Sequence, residues 1–368
     1  MIPTTPIPMT PIPMTNVTRD SLQSFMVEGF TRLGLPDADA LIFADALIFS
    51  ELRFHPGHGQ GVKRLRRYHE RISQGMVDPM TRLEVIKESP ALALVDAHNG
   101  IGTVAAARAM RMAIDKARVC GIGQVVVRNS THYGSSAVHA CQAADAGCIG
   151  TSVTNAGPEM APWGGREGAV GTNPWGIAAP TGLGFPVVLD IALTTAGKGM
   201  MGWQARSGQP MPLDWALTPD GHETDDPNAA MAGALLGIGQ YKGYGLAFMT
   251  DVLTGVIGGG GFGLTPYADP GKLDVSHTLT AIDIAWFMPL DEFNDRMDAF
   301  ARMVKSRALR PGFSEILLPG EQEARRVARK SAHGVPLEDV ALADLRALAT
   351  EIGITAEIVA TGPYEGLL

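Results

Sequence analysis

Apolar residues recur at three- and four-residue steps through Leu22, Phe25, Met26, Phe30 and Leu33, and Gly34 follows as a stop. That spacing predicts an amphipathic helix over residues 18–33. Similar runs predict a helix over 37–52, and another through Leu65, Tyr68 and Ile72 that stops at Gly75. Between these two, His55-Pro56-Gly57-His58-Gly59-Gln60-Gly61 breaks any regular element and leaves a loop whose side chains can face a ligand. Beyond it the period changes: ALALVDA, GQVVVRN, CIGTSVTN, GIAAP and PVVLDIA are β-type runs, with helical patterns over 104–119 and 135–146 between some of them. A helical stretch over 244–257, a glycine run at 258–261, the strand-like AIDIAWF and helices over 290–305, 321–333 and 337–352 complete the chain.

This order predicts a mixed α/β core flanked by helical lobes that pack together. The expected divisions are a Pro-rich disordered tail over 1–15, an N-terminal helical lobe over 16–80, a central α/β domain over 81–310 and a C-terminal helical segment over 311–368 that packs with the N-terminal lobe. No solenoid period is present.

Composition narrows the class. Apolar residues make up 45% and charged residues 18%, with 44 glycines and 25 prolines, which suits a compact enzyme rich in tight turns. A net charge of −8 without a long Lys/Arg run argues against nucleic acid or an anionic membrane as partner. Cys120, Cys141 and Cys148 lack CxxC or metal spacing and read as reduced side chains of a cytoplasmic protein. The opening MIPTTPIPMTPIPMT duplicates PIPMT with no basic start and no uninterrupted apolar run, so it reads as a polyproline-like tail rather than a signal peptide or membrane anchor.

Several segments carry candidate chemistry. Gly197-Lys198-Gly199-Met200-Met201-Gly202 fits the dinucleotide pattern G-x-G-x-x-G after a strand-like run. Such a match arises easily in a glycine-rich chain, and Trp203 with the polar run after it does not look like the helix that would carry phosphates. His55 and His58 could be half of a metal site or a solvent-exposed turn. A histidine on a glycine loop can also exchange a proton with a substrate near neutral pH. Residues 129–135 end a strand and open a helix, a place for phosphate, for an amide or for a simple helix cap. Asp190 ends an apolar strand, where a carboxylate needs a partner. Lys242 stands between Tyr241 and Gly243 before an apolar helix and suits a phosphate or a solvated helix start. Met160 and its neighbours suggest packing or an apolar pocket wall.

Taken in order, D-x-x-N-G-x-G at 96–102, V-R-N-S-x-H-Y-G at 127–134, T-N-A-x-P-x-M-A-P-W-G-G at 154–165, G-T-N-P at 171–174, V-V-L-D at 187–190 and K-G-Y-G-L-A at 242–247 resemble the malate/L-lactate dehydrogenase-like family. The resemblance spans about residues 18–353. It implies a non-Rossmann NAD(P) fold with a large central α/β domain, a lobe built from both termini, and a homodimer with its active site near the interface. It also implies hydride transfer between NAD or NADP and a small 2-oxo or 2-hydroxy acid or a cyclic imine carboxylate. Carried over by position, His132, Tyr133, Gly134, Ser135, Ser136, Asn155, Asp190, Lys242, Gly243, Gly320 and Glu321 lie at the cofactor. Asp190 also orients the catalytic histidine, and His132 is a second acid/base candidate.

One stretch departs from the family pattern L-R-G-x-D-S-H-G-V-x-R-L. Here Leu52-Arg53 and Val62-Lys63-Arg64-Leu65 bracket a longer loop. Aligning the His-Gly pair makes His58 the catalytic acid; aligning Arg64-Leu65 without a gap puts Gln60 in that place. Glutamine cannot exchange a proton near pH 7, which favours His58. Arg64 is then the clamp for the substrate carboxylate, because a planar guanidinium holds both oxygens, and Gln60 and Met160 are further substrate contacts. The competing readings are a metal-dependent hydrolase or lyase built on His55, His58 and Asp190, and a cofactor-binding homologue impaired in turnover.

Overall fold

The computed structural model describes residues 12–55, 58–59, 61–269 and 271–364. The N-terminal part contributes β1 (Met14–Val17), α1 (Arg19–Arg32), α2 (Asp37–Arg53) and α3 (Arg64–Ser73). The central part begins with β2 (Glu84–Glu88), β3 (Leu92–Asp96), α4 (Gly102–Cys120), β4 (Ile122–Ser130) and α5 (Ser136–Asp145). It continues through β5 (Cys148–Thr154), β6 (Trp175–Ala179), β7 (Val187–Ile191), α6 (Lys198–Ser207), α7 (Pro227–Ala232) and α8 (Tyr241–Asp251). After β8 (Val275–Asp283) come α9 (Leu290–Lys305), α10 (Glu321–His333), β9 (Val335–Glu338), α11 (Asp339–Ile352) and β10 (Ala360–Pro363).

The main sheet has the order β2-β3-β4-β8-β5-β6-β7, and only β3 and β4 pair in parallel, joined by the crossover helix α4. This is not a doubly wound dinucleotide fold. Its central strand β8 alternates between two helical layers. Leu279 and Ala281 pack on Ala105, Ala106, Ala109 and Ala113 of α4, whereas the Thr278 hydroxyl donates to the Leu253 carbonyl on the π-helical turn that continues α8. The alanine face lets α4 approach closely, and Gly123 completes the contact: a Cβ there would overlap the Ala113 carbonyl.

A second core unites the chain ends. Leu22, Phe25, Phe30 and Phe43 from α1 and α2 share one cluster with Leu65 and Tyr68 of α3, with Val335 and Leu337 of β9, and with Leu342, Leu345 and Leu348 of α11. The strands β10-β1-β9 close this lobe as a small antiparallel sheet. Phe30 and Phe43 stack with centroids 4.2 Å apart, and Tyr68 meets Phe43 edge-on at 4.7 Å. The Tyr68 hydroxyl then donates to the His132 carbonyl at 2.9 Å, linking the lobe to the segment after β4.

Several boundaries differ from the sequence expectation. The strand β1 begins at Met14, inside the stretch read as a disordered tail, and residues 1–11 lie outside the described residues. Residues 335–338, partly assigned to a helix, form a strand because β1 supplies a pairing edge. AIDIAWF is the end of β8 followed by a 3-10 turn over Ile284–Trp286, which the Asp283 side chain starts by accepting from the Ala285 amide. The edge strand β2 is exposed along its length and has no apolar alternation by which to predict it. Residues 198–207 do form a helix, capped at its end by Gly208 with φ +66°. Among the described residues no helix is long and apolar enough to cross a membrane.

Phe43→Ala should destabilise the protein by about 3–5 kcal/mol, the usual cost of removing a buried aromatic ring. Denaturant unfolding checks it, and a loss under about 1 kcal/mol would mean that the terminal lobe is not packed around that ring.

Candidate active site

The glycine loop lies between the end of α2 and the start of α3. The Phe54 ring stacks on the His58 imidazole at 4.2 Å and 12°, and His55 meets the edge of Trp203 on α6 at 4.5 Å. Arg64, the first residue of α3, donates through Nε to the Gly59 carbonyl at 3.2 Å, and its Nη2 lies 3.3 Å from Nε2 of His132. One buried guanidinium therefore joins the loop to the segment after β4. His58 keeps an open edge to solvent but is crowded by its neighbours. That crowding first, and then the charge of Arg64, hold its imidazole down to about 4. Gln60 lies outside the described residues.

His132 is half-buried between two donors. Nδ1 accepts from the Gly134 amide at 2.9 Å, while Nε2 faces the Arg64 guanidinium, which can only donate. Burial first, and then Arg64, hold its pKa well below the ordinary histidine value. With Nδ1 accepting, the neutral ring carries its one proton on Nε2 towards Arg64, and a second proton would set N–H against N–H on both sides, so the charged form is disfavoured. Gly134 adopts φ +88°, a turn that favours glycine. Tyr133 is buried, its hydroxyl 2.6 Å from the Ser136 hydroxyl and its ring stacked on His277, and burial pushes its pKa up.

Asp190 on β7 accepts from the Ala137 amide at 3.0 Å and so caps the N-terminus of α5 from the neighbouring strand. Burial raises its pKa to about 6 even though that amide, the nearby Ser135 hydroxyl and Arg53 all favour the charged form. It makes no hydrogen bond or ion pair with His58 or His132. Beside it, Ser135 Oγ and Arg53 Nε are buried with no hydrogen-bond partner. Gly320, at φ +81°, brings the turn before α10 against β7, where a Cβ would sit 3.0 Å from the Val188 backbone. The Arg53 Nε and the Ser135 hydroxyl, beside the Asp190-capped start of α5, form a cradle suited to sugar hydroxyls or phosphate.

Other expected site residues are placed differently. Asn155 is buried, its amide donating to the Gly261 carbonyl at 2.6 Å and its oxygen accepting from Ser276 at 2.8 Å, so it shapes the site from behind. The Glu321 carboxylate is engaged by Lys305 at 2.6 Å and Arg325 at 2.7 Å, and it accepts from the Leu318 amide. Met160 is fully buried with Val170, Leu193 and Ala247, a core position rather than an open pocket wall. Lys242 is exposed in the first turn of α8, while Gly243 has no room for a Cβ against the Leu193 carbonyl and Ile238. The G-x-G-x-x-G run opens α6 after an antiparallel edge strand, which is not the context that motif requires. Among the described residues no three His, Cys, Asp or Glu side chains converge, so His55, His58 and Asp190 do not form a metal site. Sequence reasoning gave no role to Trp203, set aside with its glycine motif, to Arg53, used only to align the loop, or to the charged residues that brace the loop, whose partners are tertiary.

Comparisons with known proteins agree with one another. A family model described as malate/L-lactate dehydrogenase matches residues 17–346. A malate dehydrogenase of Pyrococcus abyssi is 38% identical, covering 92% of this chain and 95% of that protein. An L-sulfolactate dehydrogenase of Methanothermobacter thermautotrophicus is 32% identical, covering 90% and 95% respectively. The solved structure of malate dehydrogenase from Pyrococcus horikoshii OT3 matches with a TM-score of 0.86 at 34% identity, covering 96% of this chain and 99% of that one.

The neutral histidines make a prediction about acid. Burial holds His58 and His139 at about 4 and His277 at about 3, and His132 is lowered too, while an unfolded chain protonates near 6.5. The unfolded chain therefore takes up protons that the fold refuses, and stability falls as pH drops from about 6.5 towards 4. Buried carboxyls raised by desolvation, Asp190 to about 6 with Asp39, Glu51, Asp145 and Asp251 in the same direction, work in the opposite sense. An unfolded carboxyl is ionised at pH 5, however, whereas an unfolded histidine is protonated there, and His55 is lowered like the other four rings. Thermal unfolding at pH 7 and pH 5 should show a lower Tm at pH 5; an unchanged Tm would mean that these rings protonate inside the fold.

Proposed function

The chain belongs to the malate/L-lactate dehydrogenase family and is an NAD(P)-dependent oxidoreductase of small 2-oxo and 2-hydroxy acids; within that reaction we propose that His58 moves the substrate proton and Arg64 holds the substrate carboxylate. The observation that carries this reading is the buried Arg64 guanidinium, set between the Gly59 carbonyl and His132 with no carboxylate partner among the described residues. A carboxylate at that point satisfies the cation and brings the carbon next to it within reach of His58.

The nicotinamide, when bound, supplies or accepts a hydride at C4. The orphaned Ser135 hydroxyl and Arg53 Nε, with the Asp190-capped start of α5 and the Gly320 turn, fit its ribose and phosphates. Lys242 adds a cation from α8, and the missing side chain of Gly243 lets that helix sit close. Asn155 and Glu321 hold the backbone around this cradle. Asp190 supports the reacting imidazole through its negative charge at the start of α5 rather than by a direct hydrogen bond to His58. His132, neutral between two donors, binds rather than protonates.

The proton moves in a direction set by pH. A neutral His58 is a base ready to take the proton of a hydroxy acid, whereas reduction needs the protonated ring. For reduction, kcat/KM should therefore fall as pH rises above about 4, and for oxidation it should rise to a plateau above that value.

We also propose that the protein is a cytoplasmic homodimer. Phe248, Met249, Leu253, Val256 and Ile257 form an exposed apolar face on α8 and its π-helical continuation, which suits a second copy of the chain. The reduced cysteines suit the cytoplasm.

Turnover of 2-oxo acids and cyclic imine carboxylates with NADH and NADPH, followed by nicotinamide absorbance, tests the assignment. His58→Ala should lower kcat by about two to four orders of magnitude, the usual worth of a general acid or base. Full activity of that variant together with loss in His132→Ala would move the proton to His132. Ile257→Glu should give a monomer by light scattering, and a dimer unchanged by it would place the interface elsewhere.

A further inference from the structure

Lys330 lies in the last turn of α10, in the C-terminal part of the chain, and only 3% of its surface is exposed. Its ammonium donates to the carbonyls of Glu51 at 2.6 Å and of Phe54 at 2.8 Å. Those carbonyls belong to the last turn and cap of α2, where the helix has no further amides to satisfy them and where its dipole favours a cation. The next residue, His55, opens the glycine loop. The far end of the loop returns to the same turn: the Glu51 carboxylate accepts from the Val62 amide at 2.8 Å, and a Cβ on Gly61 would overlap that carboxylate. Both ends of the loop are therefore fixed on one turn of α2. Beyond it, the buried Glu338 pairs with Lys63 and, at 3.3 Å, with Arg206 of α6.

Pinning a helix end with a buried ammonium is costly: desolvation lowers its pKa to about 8, and the Glu51 carboxylate, which forms no ion pair with it, offsets this only in part. An apolar side chain of similar length would avoid that desolvation but leave both carbonyls without a donor. What the ammonium adds is direction: two short bonds fix where the chain leaves α2 and hence where His58 stands. We infer that Lys330 is a positioning residue for the reaction, holding the His58 loop through the two carbonyls at the end of α2. This rests on the role proposed for His58.

The test is kinetic, with stability and cofactor binding measured alongside. Lys330→Met should lower kcat by about 10- to 100-fold, the scale of an ångström-sized misplacement, while NAD(P)H dissociation changes little and Tm falls only by what two unsatisfied carbonyls cost. Lys330→Arg, which can still reach both carbonyls with a cation, should recover most of the lost kcat. In a His58→Ala background, Lys330→Met should cost less than about twofold, because both changes then act on one missing group. Unchanged kcat in Lys330→Met beside an inactive His58→Ala would overturn the inference alone. So would a kcat loss that Arg does not restore, or one that persists in full in the His58→Ala background. Full activity of His58→Ala would instead overturn the proton-donor assignment, and Lys330's role with it.

Discussion

The site depends on a cation that the fold buries without an anion. Arg64 is 9% exposed, bonded to a backbone carbonyl and an imidazole, and has no carboxylate partner among the described residues. Burial lowers even its guanidinium to about 10, a measure of how much solvation it has lost. An uncompensated charge of this kind is costly in a core and useful in a pocket, because an arriving carboxylate recovers what folding gave up. The same charge sets its neighbours. Both His58 and His132 are held neutral in part by Arg64, so substrate binding, which screens that charge, makes it easier for His58 to take a proton.

Keeping such a cation in place requires rigid support from elements far apart in the chain. Arg64 begins α3, whose Tyr68 is locked under Phe43 and bonded to the His132 carbonyl. The lobe core that holds α3 contains residues from β1 to α11, so the chain must close on itself before this arginine has a fixed direction. The main sheet supplies the other half. The strand β4 delivers His132, and β7 delivers Asp190 to the start of α5. The site is the seam between a lobe assembled from both termini and the edge of a mostly antiparallel sheet.

Much of this was legible in the sequence where local pattern and structure coincide. The helices over α1, α2 and α4 and the strands β3 to β7 followed from apolar spacing that matches their packed faces. The candidate site residues His58, His132 and Asp190 stood out because chemistry and motif agree on them. Residues whose meaning comes from tertiary partners were not. Nothing local marks Lys330 as buried, since its neighbours Arg326 and Arg329 belong to an ordinary basic helix face. Asn155 and Glu321 looked like ligand contacts because they stand in the right segments, yet backbone groups and basic side chains had already claimed them. Trp203 was dismissed with its glycine motif, although α6 reaches the loop through that ring.

The long glycine loop has its own logic. A loop that differs from the family pattern can keep its chemistry only if its ends remain fixed, since each added residue multiplies the conformations open to the histidine. Here the fixation comes from outside the loop. Glu51 holds its return, Lys330 holds its departure, and Glu338 ties the residue after it to α6. Glycine at 61 removes a side chain that would overlap Glu51, Gly59 takes a φ of +74° that favours glycine, and Phe54 supplies one flat surface against which the imidazole lies. Both loop histidines are held by rings, His58 stacked on Phe54 and His55 against the edge of Trp203. The altered loop therefore keeps the geometry that general acid–base catalysis needs, and this argues against reading it as the mark of a chain that has lost turnover.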